Sequence, residues 1–418
     1  MMPPRAIRGS FLVFAIAFGT AMMAASDLHA GFIPQASFDP ANNASPQLGY
    51  VDAQGNIYGS IRSYIPGSYE MYNVSFFEVA AGSGVVTRLG AISQYKESVY
   101  PGMVVDSNGN LFATSRVGSG SFGDEQLLEV SKDSGVVHVL TDYNNGIFNG
   151  LGITKLAIDK LGNVFGTSNL GGSNSSNGTL FEWKTGASQI STLGNFSGML
   201  GSYPTPDLVV APQGDLFGVT TSGGTLGAGT IFHWSQSTGT LSTLLNIDPK
   251  YGALTNLVGD ANGNLYGLSQ HGGTNGEGVL FTVKSGSTTI TPLLDLNAPG
   301  QGITRILNVD AAGNIYGVGR NNALVELKIH ETTLSTLAAG GSFPTSALIA
   351  RTSSKGSTDV YGVSPSGGDH GSGFVFKVGT GGCPSAAAVP EIDPSTATAG
   401  LTLLMGGLLV LFDRKPRR

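Results

Sequence analysis

The chain has 418 residues and a formal net charge of −6, and only 12% of its residues are charged, about half the usual share of ~25%. With 40% hydrophobic residues, this composition excludes a chain disordered by charge, and its acidic balance offers no basic footprint for nucleic acid. A single Cys excludes a disulfide scaffold and a cysteine-based metal site, while 63 glycines, about twice the usual share of roughly 7%, are typical of β-rich exported proteins.

The N-terminus predicts a secretory signal peptide over residues 1–30. Arg5 and Arg8 form its positive region, and the uncharged run over residues 11–25 is too short to favour spanning a membrane. Small residues follow this run. We therefore expect cleavage after Ala30, with Ala25 as the second choice, and a buried N-terminal helix is the alternative interpretation.

Between residues 31 and 379, one motif recurs seven times at spacings of 45 to 54 residues. Each copy has an apolar strand, a tight turn with Gly, a second strand, a Gly-rich loop and two further strands. The turns are anchored at Gly55, Gly109, Gly162, Gly214, Gly263, Gly313 and Thr358. Four antiparallel strands per repeat predict an all-β protein, a seven-bladed β-propeller of four-stranded antiparallel blades. A β-solenoid is the competing architecture, but its coils are shorter than these repeats.

The seventh repeat lacks a fourth strand, because GTGGCPS follows its third strand at residues 374–378. The predicted mature N-terminus holds an otherwise unassigned segment, residues 31–38. We predict that this segment is the outer strand of the last blade and closes the ring. Pro34 is tolerated there, since an outermost strand need donate no hydrogen bond on its free side.

The segment DLFGVTTSGGTLGAGTIFHWSQSTGTLSTLLNID, residues 215–248, resembles the GloVer repeat family. Those repeats carry a Gly-Asn-Leu-Tyr-Gly-Thr-Thr core, a Gly-Gly loop and a Gly-Thr-Val-Phe strand. The Gly-Gly loop recurs here at Gly171-Gly172, Gly223-Gly224, Gly272-Gly273 and Gly367-Gly368, but is lost from the first two repeats. The resemblance implies the repeat fold and frequent pairing with C-terminal anchors, and it implies no agreed activity.

The C-terminus follows a linker over residues 380–388 that contains the lone Cys383. An apolar run over residues 397–412 predicts a transmembrane helix, and the four positive charges after it would stay in the cytoplasm, so that the mature chain lies outside. Val389, Pro390 and Glu391 precede this helix. Residues 389–418 resemble the PEP-CTERM sorting signal of Gram-negative bacteria, with Ile392 standing where that signal has its second Pro.

The PEP-CTERM resemblance implies export to the cell surface or extracellular matrix. Its implied partners are an exosortase-like sorting protease and, during sorting, the inner membrane. Whether the helix is then retained or removed is left open, and an ordinary single-pass anchor is the alternative.

Two turns, DSNGN at Asp106 and DANGN at Asp260, look like the start of a calcium loop. The twelfth positions are Val117 and His271, where an EF-hand needs Glu. We therefore interpret these Asp residues as caps of hairpin turns and expect no metal and no cofactor, with weak Ca²⁺ binding as the alternative.

Candidate catalytic carboxylates occupy one equivalent third-strand position in four repeats: Glu78, Glu129, Glu182 and Glu326. A catalytic pair would break the repeat symmetry, whereas a solvated position on an alternating strand preserves it, so we expect no catalytic residues among them. Trp183 and Trp234 end two third strands and are expected in the core, with sugar stacking as the alternative. His271 and His370 are expected on surface loops, with ligand contact as the alternative.

These features favour an exported, non-enzymatic surface protein whose propeller serves binding or structural roles, with an extracellular glycan or matrix polymer as the expected partner. The alternative is a secreted enzyme, a hydrolase or lyase acting on polysaccharide. An enzyme should gather non-repeated carboxylates and His at the mouth of the central channel. A binding or structural module should have a symmetric channel without such non-repeated groups.

Overall fold

The computed structural model describes residues 32–38, 45–52, 54–64, 71–95, 98–99, 102–117, 124–142, 155–172, 177–296, 302–320, 323–338, 348–352, 358–364 and 374–379. Within these ranges the chain forms 29 strands and one 3-10 helix at Pro249–Tyr251. The strands assemble into seven antiparallel sheets. The predicted seven-bladed β-propeller is therefore confirmed.

The blades follow one another along the chain, and each begins at its innermost strand. Blade 1 contains β2 (Ser45–Val51), β3 (Ile57–Tyr64), β4 (Met71–Val79) and β5 (Val86–Tyr95). Blade 2 contains a divided inner strand, β6 (Ser98–Val99) and β7 (Val104–Val105), then β8 (Leu111–Val117), β9 (Asp124–Val130) and β10 (Val137–Asp142). Blade 3 contains β11 (Leu156–Ile158), β12 (Val164–Ser168), β13 (Thr179–Trp183) and β14 (Ser191–Asn195).

The remaining blades repeat this order. Blade 4 contains β15 (Ser202–Val210), β16 (Leu216–Ser222), β17 (Thr230–Ser235) and β18 (Thr240–Asn246). Blade 5 contains β19 (Leu254–Gly259), β20 (Leu265–Ser269), β21 (Val279–Val283) and β22 (Thr291–Asp295). Blade 6 contains β23 (Ile303–Val309), β24 (Ile315–Gly319), β25 (Leu324–Leu327) and β26 (Ser335–Ala338). Blade 7 contains β27 (Ile349–Thr352), β28 (Thr358–Ser364) and β29 (Phe374–Gly379), together with β1 (Phe32–Ser37).

The inner strands form a closed circle, because each contacts the inner strand of the next blade and β27 contacts β2. This circle defines the axis of the ring and two faces. The turns between first and second strands and between third and fourth strands lie on one side, which we call the turn face. The Gly-rich loops between second and third strands and the connections between blades lie on the other side, which we call the loop face.

The two ends of the propeller meet in blade 7, where β1 pairs antiparallel with β29 from Phe32 opposite Val378 to Ser37 opposite Phe374. The predicted closing strand is therefore confirmed, and it is the outermost strand of its sheet. The register shifts between Pro34 and Ala36. Phe38 follows the strand and packs edge-to-face on Phe77 of blade 1, with ring centroids 5.1 Å apart, so the segment also seals the contact between blades 7 and 1.

One aromatic contact explains why the second strands carry Gly after an aromatic residue. In blade 5, the ring of Phe281 lies across Gly267, and a Cβ at Gly267 would come within 2.1 Å of it. Blades 1, 3, 4 and 7 repeat this contact. In blade 2 the Gly becomes Ala113, and the opposing residue becomes the smaller Leu128, so volume is conserved across the pair.

The third strands differ from the sequence-based expectation. Their alternating polarity predicted one solvated side, but β13 and β21 are buried along their whole length. The reason is that a third strand lies between two others in its sheet, while both faces of the sheet are covered by the neighbouring blades.

The predicted signal peptide and the predicted C-terminal sorting signal lie outside the described residues. This holds for the signal peptide with Ala30, the sorting motif Val389, Pro390 and Glu391, and the helix over residues 397–412. In the part of the chain that the structure describes, no helix has the length and apolar character needed to cross a membrane.

Deleting residues 31–38 should destabilise the ring, since it removes all partners of β29 on one side and uncovers Phe77. We expect a loss of several kcal/mol, which lowers the melting temperature on the order of 10 °C, together with aggregation through the open edge. Thermal unfolding followed by circular dichroism measures this effect. Deletion of residues 381–388, an equal length of the predicted linker, is the control, and a closing-strand deletion that melts with the control would contradict the model.

Candidate functional site

The turn face carries a repeated Asp–Asn pair whose role is structural. In blade 2, Asp106 Oδ1 accepts hydrogen bonds from the amides of Asn108 and Asn110 at 2.9 and 2.8 Å, and Oδ2 accepts from Asn110 Nδ2 at 3.0 Å. Asn110 Oδ1 in turn accepts from the amide of Lys132 in the second hairpin of the same blade. The carboxylate therefore organises its own turn, as predicted for a capping Asp.

The same arrangement is present in blades 1, 3, 5 and 6, with Asp at 52, 159, 260 and 310. In blades 5 and 6, the following Tyr266 and Tyr316 also donate to the Asp, at 3.2 Å. Burial, with the charge of Asp260 second, raises the pKa of Tyr266 to about 12. Across the described residues, no group of three or more His, Cys, Asp or Glu side chains is arranged to hold a metal ion.

Blades 4 and 7 use a different carboxylate contact at this position. Blade 4 has Ala211 in place of the turn Asp, and Asp215 replaces the Asn and accepts from His233 Nε2 at 3.0 Å. Blade 7 pairs Asp359 with Lys377 at 2.8 Å. Burial opposes the shift, but the amide of Gln236 and the His233 ring together hold the pKa of Asp215 below its ordinary value. Among the described third strands, His233 or Lys377 thus appears only where the carboxylate stands at the start of the second strand or just before it.

The four equivalent Glu residues are aligned as predicted, because each lies opposite the aromatic residue of its second strand. Glu78 and Glu129 are partly exposed, but the other two are not solvated. Glu182 and Glu326 are only 6% and 5% exposed. The expectation of a solvated position fails for these two residues because their third strands are buried. Burial raises the pKa of the Glu182 carboxyl, and nearby Lys184 opposes this shift. Glu78 accepts a hydrogen bond from Tyr58 of its own blade, and Glu129 and Glu182 each lie near the turn Asp of their own blade.

A non-repeated polar cluster lies on the inner strands of blades 3 to 6. We call it the axial cluster: Lys155, Asp207, Asn256 and Arg305. Asp207 Oδ1 accepts from Lys155 Nζ at 2.6 Å, and Asp207 Oδ2 accepts from Asn256 Nδ2 at 2.7 Å. Asn256 Oδ1 accepts from the amide of Ile306 at 2.7 Å, and Arg305 Nη2 donates to the carbonyl of Leu348 at 2.8 Å. Hydrogen bonds therefore link five consecutive blades around the axis.

The members of the axial cluster occupy one structural position, although their side chains differ. In each of blades 3 to 6, one residue of the inner strand lies opposite the Gly of the second strand. The cluster member is the residue directly before it in the sequence. In blade 1 this position is Gln47. The inner circle therefore lacks the symmetry expected of a binding or structural module. Among the described residues at this position it contains one carboxylate, Asp207, and no His, so the cluster expected of an enzyme is not formed there either. Sequence alignment of the repeats could have revealed this variable position, but the inserted residues described next obscure it.

Strand irregularities directly precede three members of the cluster, on the side of each inner strand that leads to the loop face. In β15, Pro204 lies opposite Thr220 and Leu208 opposite Gly218, so the bulged segment ending in Asp207 has two more residues than its partner. Single-residue bulges precede Asn256 in β19 and Arg305 in β23. Bulges re-aim side chains and are common beside functional sites.

Tyr203, four residues before Asp207, has a φ of 56° and is 45% exposed. A large side chain in this left-handed region carries backbone strain. Its amide donates to the carbonyl of Asn177 in the Gly-rich loop of blade 3, which holds the residue at the loop face. We call Tyr203 and the axial cluster together the loop-face mouth.

The other candidate residues are not part of this mouth. Trp183 and Trp234 are buried against Phe112 and Phe165 of the preceding blades, so core packing is confirmed and sugar stacking on them is wrong. His271 is exposed on a surface loop, as predicted. His370 and Cys383 lie outside the described residues.

Glu182→Gln should raise stability at neutral pH. Because burial raises the pKa of Glu182, the folded state binds this proton more tightly than the unfolded chain, whose Glu titrates near about 4.3. The stabilisation is present below that pH and is lost as pH rises through the folded pKa. We expect the melting temperature of the variant to exceed that of the native chain at pH 7, with the difference shrinking toward pH 4. Exposed Glu331→Gln should show no such trend, and an equal effect of Glu182→Gln at both pH values would argue against the assignment.

Three solved structures are among those to which the chain is similar. A puromycin hydrolase mutant is 12% identical with a TM-score of 0.44, covering 79% of this chain and 61% of that one, so this chain spans under two thirds of its length. The calcium-binding protein regucalcin of Agrobacterium tumefaciens is 17% identical with a TM-score of 0.41, covering 67% and 89%. A putative 6-phosphogluconolactonase of Bacteroides fragilis is 14% identical with a TM-score of 0.45, covering 78% and 92%. Similarity at this level bears on no functional argument.

At the level of sequence, no curated protein matches the chain. The family described as the Gloeobacter/Verrucomicrobia repeat matches residues 100–324, from the inner strand of blade 2 to the third strand of blade 6. The match confirms the resemblance that the repeats indicated. Because it spans more than half of the chain, the protein belongs to the Gloeobacter/Verrucomicrobia repeat family.

Proposed function

We propose that the chain is an exported surface or extracellular-matrix protein whose propeller binds a glycan or matrix polymer at the loop-face mouth without turning it over. The observation that carries the proposal is the coincidence of Tyr203, exposed and strained, with the non-repeated axial cluster four residues away on the same strand. Strain of this kind persists where a surrounding structure enforces it, and it is concentrated at functional sites.

The chemistry of the mouth suits a polyhydroxylated polymer. An exposed aromatic ring offers a flat apolar face with a polar tip, on which a sugar ring can stack. Near the axis, Arg305 supplies a guanidinium group with several N–H donors, one of which contacts the carbonyl of Leu348. The buried Asn256 amide holds Asp207 in place and is committed to the fold. Lys155 is 53% exposed, so its ammonium group can contact a ligand while it pairs with Asp207.

The hydrogen bonding of Asp207 favours binding over catalysis. Both of its oxygens accept hydrogen bonds, from an ammonium group and from an amide, and glycoside hydrolysis needs two carboxyl groups flanking the bond. In the described residues at the axial-cluster position, Asp207 is the single carboxylate. The second candidate function is that of a polysaccharide hydrolase or lyase, and the non-repeated Asp207 carboxylate is the observation that favours it. Formation of cleaved product would identify such an enzyme.

Tyr203→Gly separates binding from folding. Gly adopts positive φ freely, so the variant should melt at or above the temperature of the native chain, while loss of the ring should weaken polymer binding about tenfold or more, ~1.4 kcal/mol. An array of neutral and acidic polysaccharides, followed by titration of the strongest binder, measures the effect. Exposed Met199→Gly on the same face is the control. If Tyr203→Gly binds every polymer as the native chain does, or if polymer fragments appear, the non-catalytic mouth is contradicted.

Export and sorting form the second part of the proposal. The signal peptide would direct residues 31 onward across the inner membrane, and the helix over residues 397–412 would hold the chain there at least until an exosortase-like protease acts. The tripartite C-terminal sequence supports this proposal.

Replacing Pro390-Glu391 by Ala-Ala should therefore leave unprocessed protein in the inner membrane, because the processing enzyme no longer recognises its motif. Cell fractionation and mass spectrometry of the C-terminal peptide measure the outcome, with Pro384→Ala in the linker as the control. Surface protein that retains its native terminus through Arg418 would show instead a simple membrane anchor.

A further inference from the structure

A cavity on the turn face, at blade 4, provides a second site on the opposite side of the ring from the loop-face mouth. We propose that this cavity binds a neutral saccharide unit. Its volume is about 500 Å³, within the range of roughly 300–1,000 Å³ typical of small-molecule sites. The turns of blades 3, 4 and 5 line it, together with Gln236 from the second hairpin of blade 4.

The cavity coincides with a break in the repeat. The flanking turns contain Asp159 and Asp260, whereas blade 4 has Ala211 at this position. The Ala211 turn keeps the two backbone hydrogen bonds of the other turns, from Ala211 to the carbonyl of Asp215 and from Gly214 to the carbonyl of Ala211, both at 2.8 Å. The backbone is therefore shaped as in the other blades, and the missing carboxylate leaves space above it.

The lining combines an apolar floor with amide groups. Val210, Ala211 and Pro212 form the floor, and Leu161, which is 71% exposed, stands at the rim. Gln213 in the first turn of blade 4 and Gln236 in its second hairpin are both exposed. The backbone amide of Gln236 donates to Asp215 Oδ1 at 2.9 Å, which holds the two turns together. Amide side chains both donate and accept hydrogen bonds.

The charges of the lining argue against an ionic ligand. Asp159 and Asp260 each accept hydrogen bonds from two backbone amides and an Asn of their own turn, so their carboxylates are committed to the fold. Lys160 is the one cation among the lining residues, and it is exposed at the edge. A ligand with an apolar face and neutral hydroxyl groups matches this floor and these amides, which is the chemistry of a saccharide ring.

Two sets of substitutions test the site without a large risk to folding. Gln213→Ala gives blade 4 the residue that blade 6 already has there, Ala312. The double variant Ala211→Asp/Asp215→Asn rebuilds the turn found in five other blades and places a carboxylate in the cavity. The matched control is Asn262→Ala, which removes an exposed amide from the same turn position of blade 5, outside the lining.

The probes are cellotetraose, maltotetraose and laminaritetraose, titrated into the purified full-length protein in mild detergent and followed by saturation-transfer NMR and calorimetry. We expect at least one to bind, and both blade 4 variants to weaken it at least tenfold, while Asn262→Ala and Tyr203→Gly change it less than twofold. No binding of any probe up to about 10 mM, or binding that both blade 4 variants retain, would overturn the proposal. Loss of binding in Tyr203→Gly alone would assign the saccharide to the loop-face mouth and leave the cavity unsupported. If the double variant fails to fold, Gln213→Ala decides.

Discussion

The pairing of β1 with β29 is the constraint on which the rest of this structure depends. Six blades are continuous in sequence, and each can complete its own sheet. The seventh obtains its outer strand from the other end of the described chain, so its sheet is complete, and the ring is held closed by hydrogen bonds and packing, only when both ends have met. Long-range pairing of this kind carries a loop-closure cost that local hairpins do not, but it leaves no blade with an unpaired third strand.

Inside the ring, small side-chain exchanges preserve the same packing from blade to blade. The Phe–Gly contact becomes Leu128 with Ala113 in blade 2, because the added methyl group needs a smaller partner. Charges are exchanged in the same way. In blades 4 and 7 the carboxylate stands at the start of the second strand or just before it, and His233 or Lys377 replaces the usual third-strand residue and contacts it. These compensations show that the repeated polar groups belong to folding.

The departures from the repeat concentrate in blade 4. Its inner strand has a bulge of two extra residues and the strained Tyr203 toward the loop face, and its first turn lacks the Asp toward the turn face. A repeat fold can accept such changes locally, because each blade is held by its own hairpins and by its two neighbours. Sites on opposite faces of one blade would allow a propeller to engage two polymer strands without any change to the ring.

The sequence by itself determined the number of blades, the four-stranded repeat, the closing strand and the capping role of the turn Asp, since these follow from local periodicity and turn chemistry. Only the tertiary structure decided the burial of Glu182 and the assembly of the axial cluster. Alternating polarity indicates a solvated face for an isolated sheet, but blades stack on both faces, so Glu182 is enclosed. Lys155 and Asp207 are 52 residues apart, and they form an ion pair because the inner strands converge on one axis and a bulge turns Asp207 toward its neighbour.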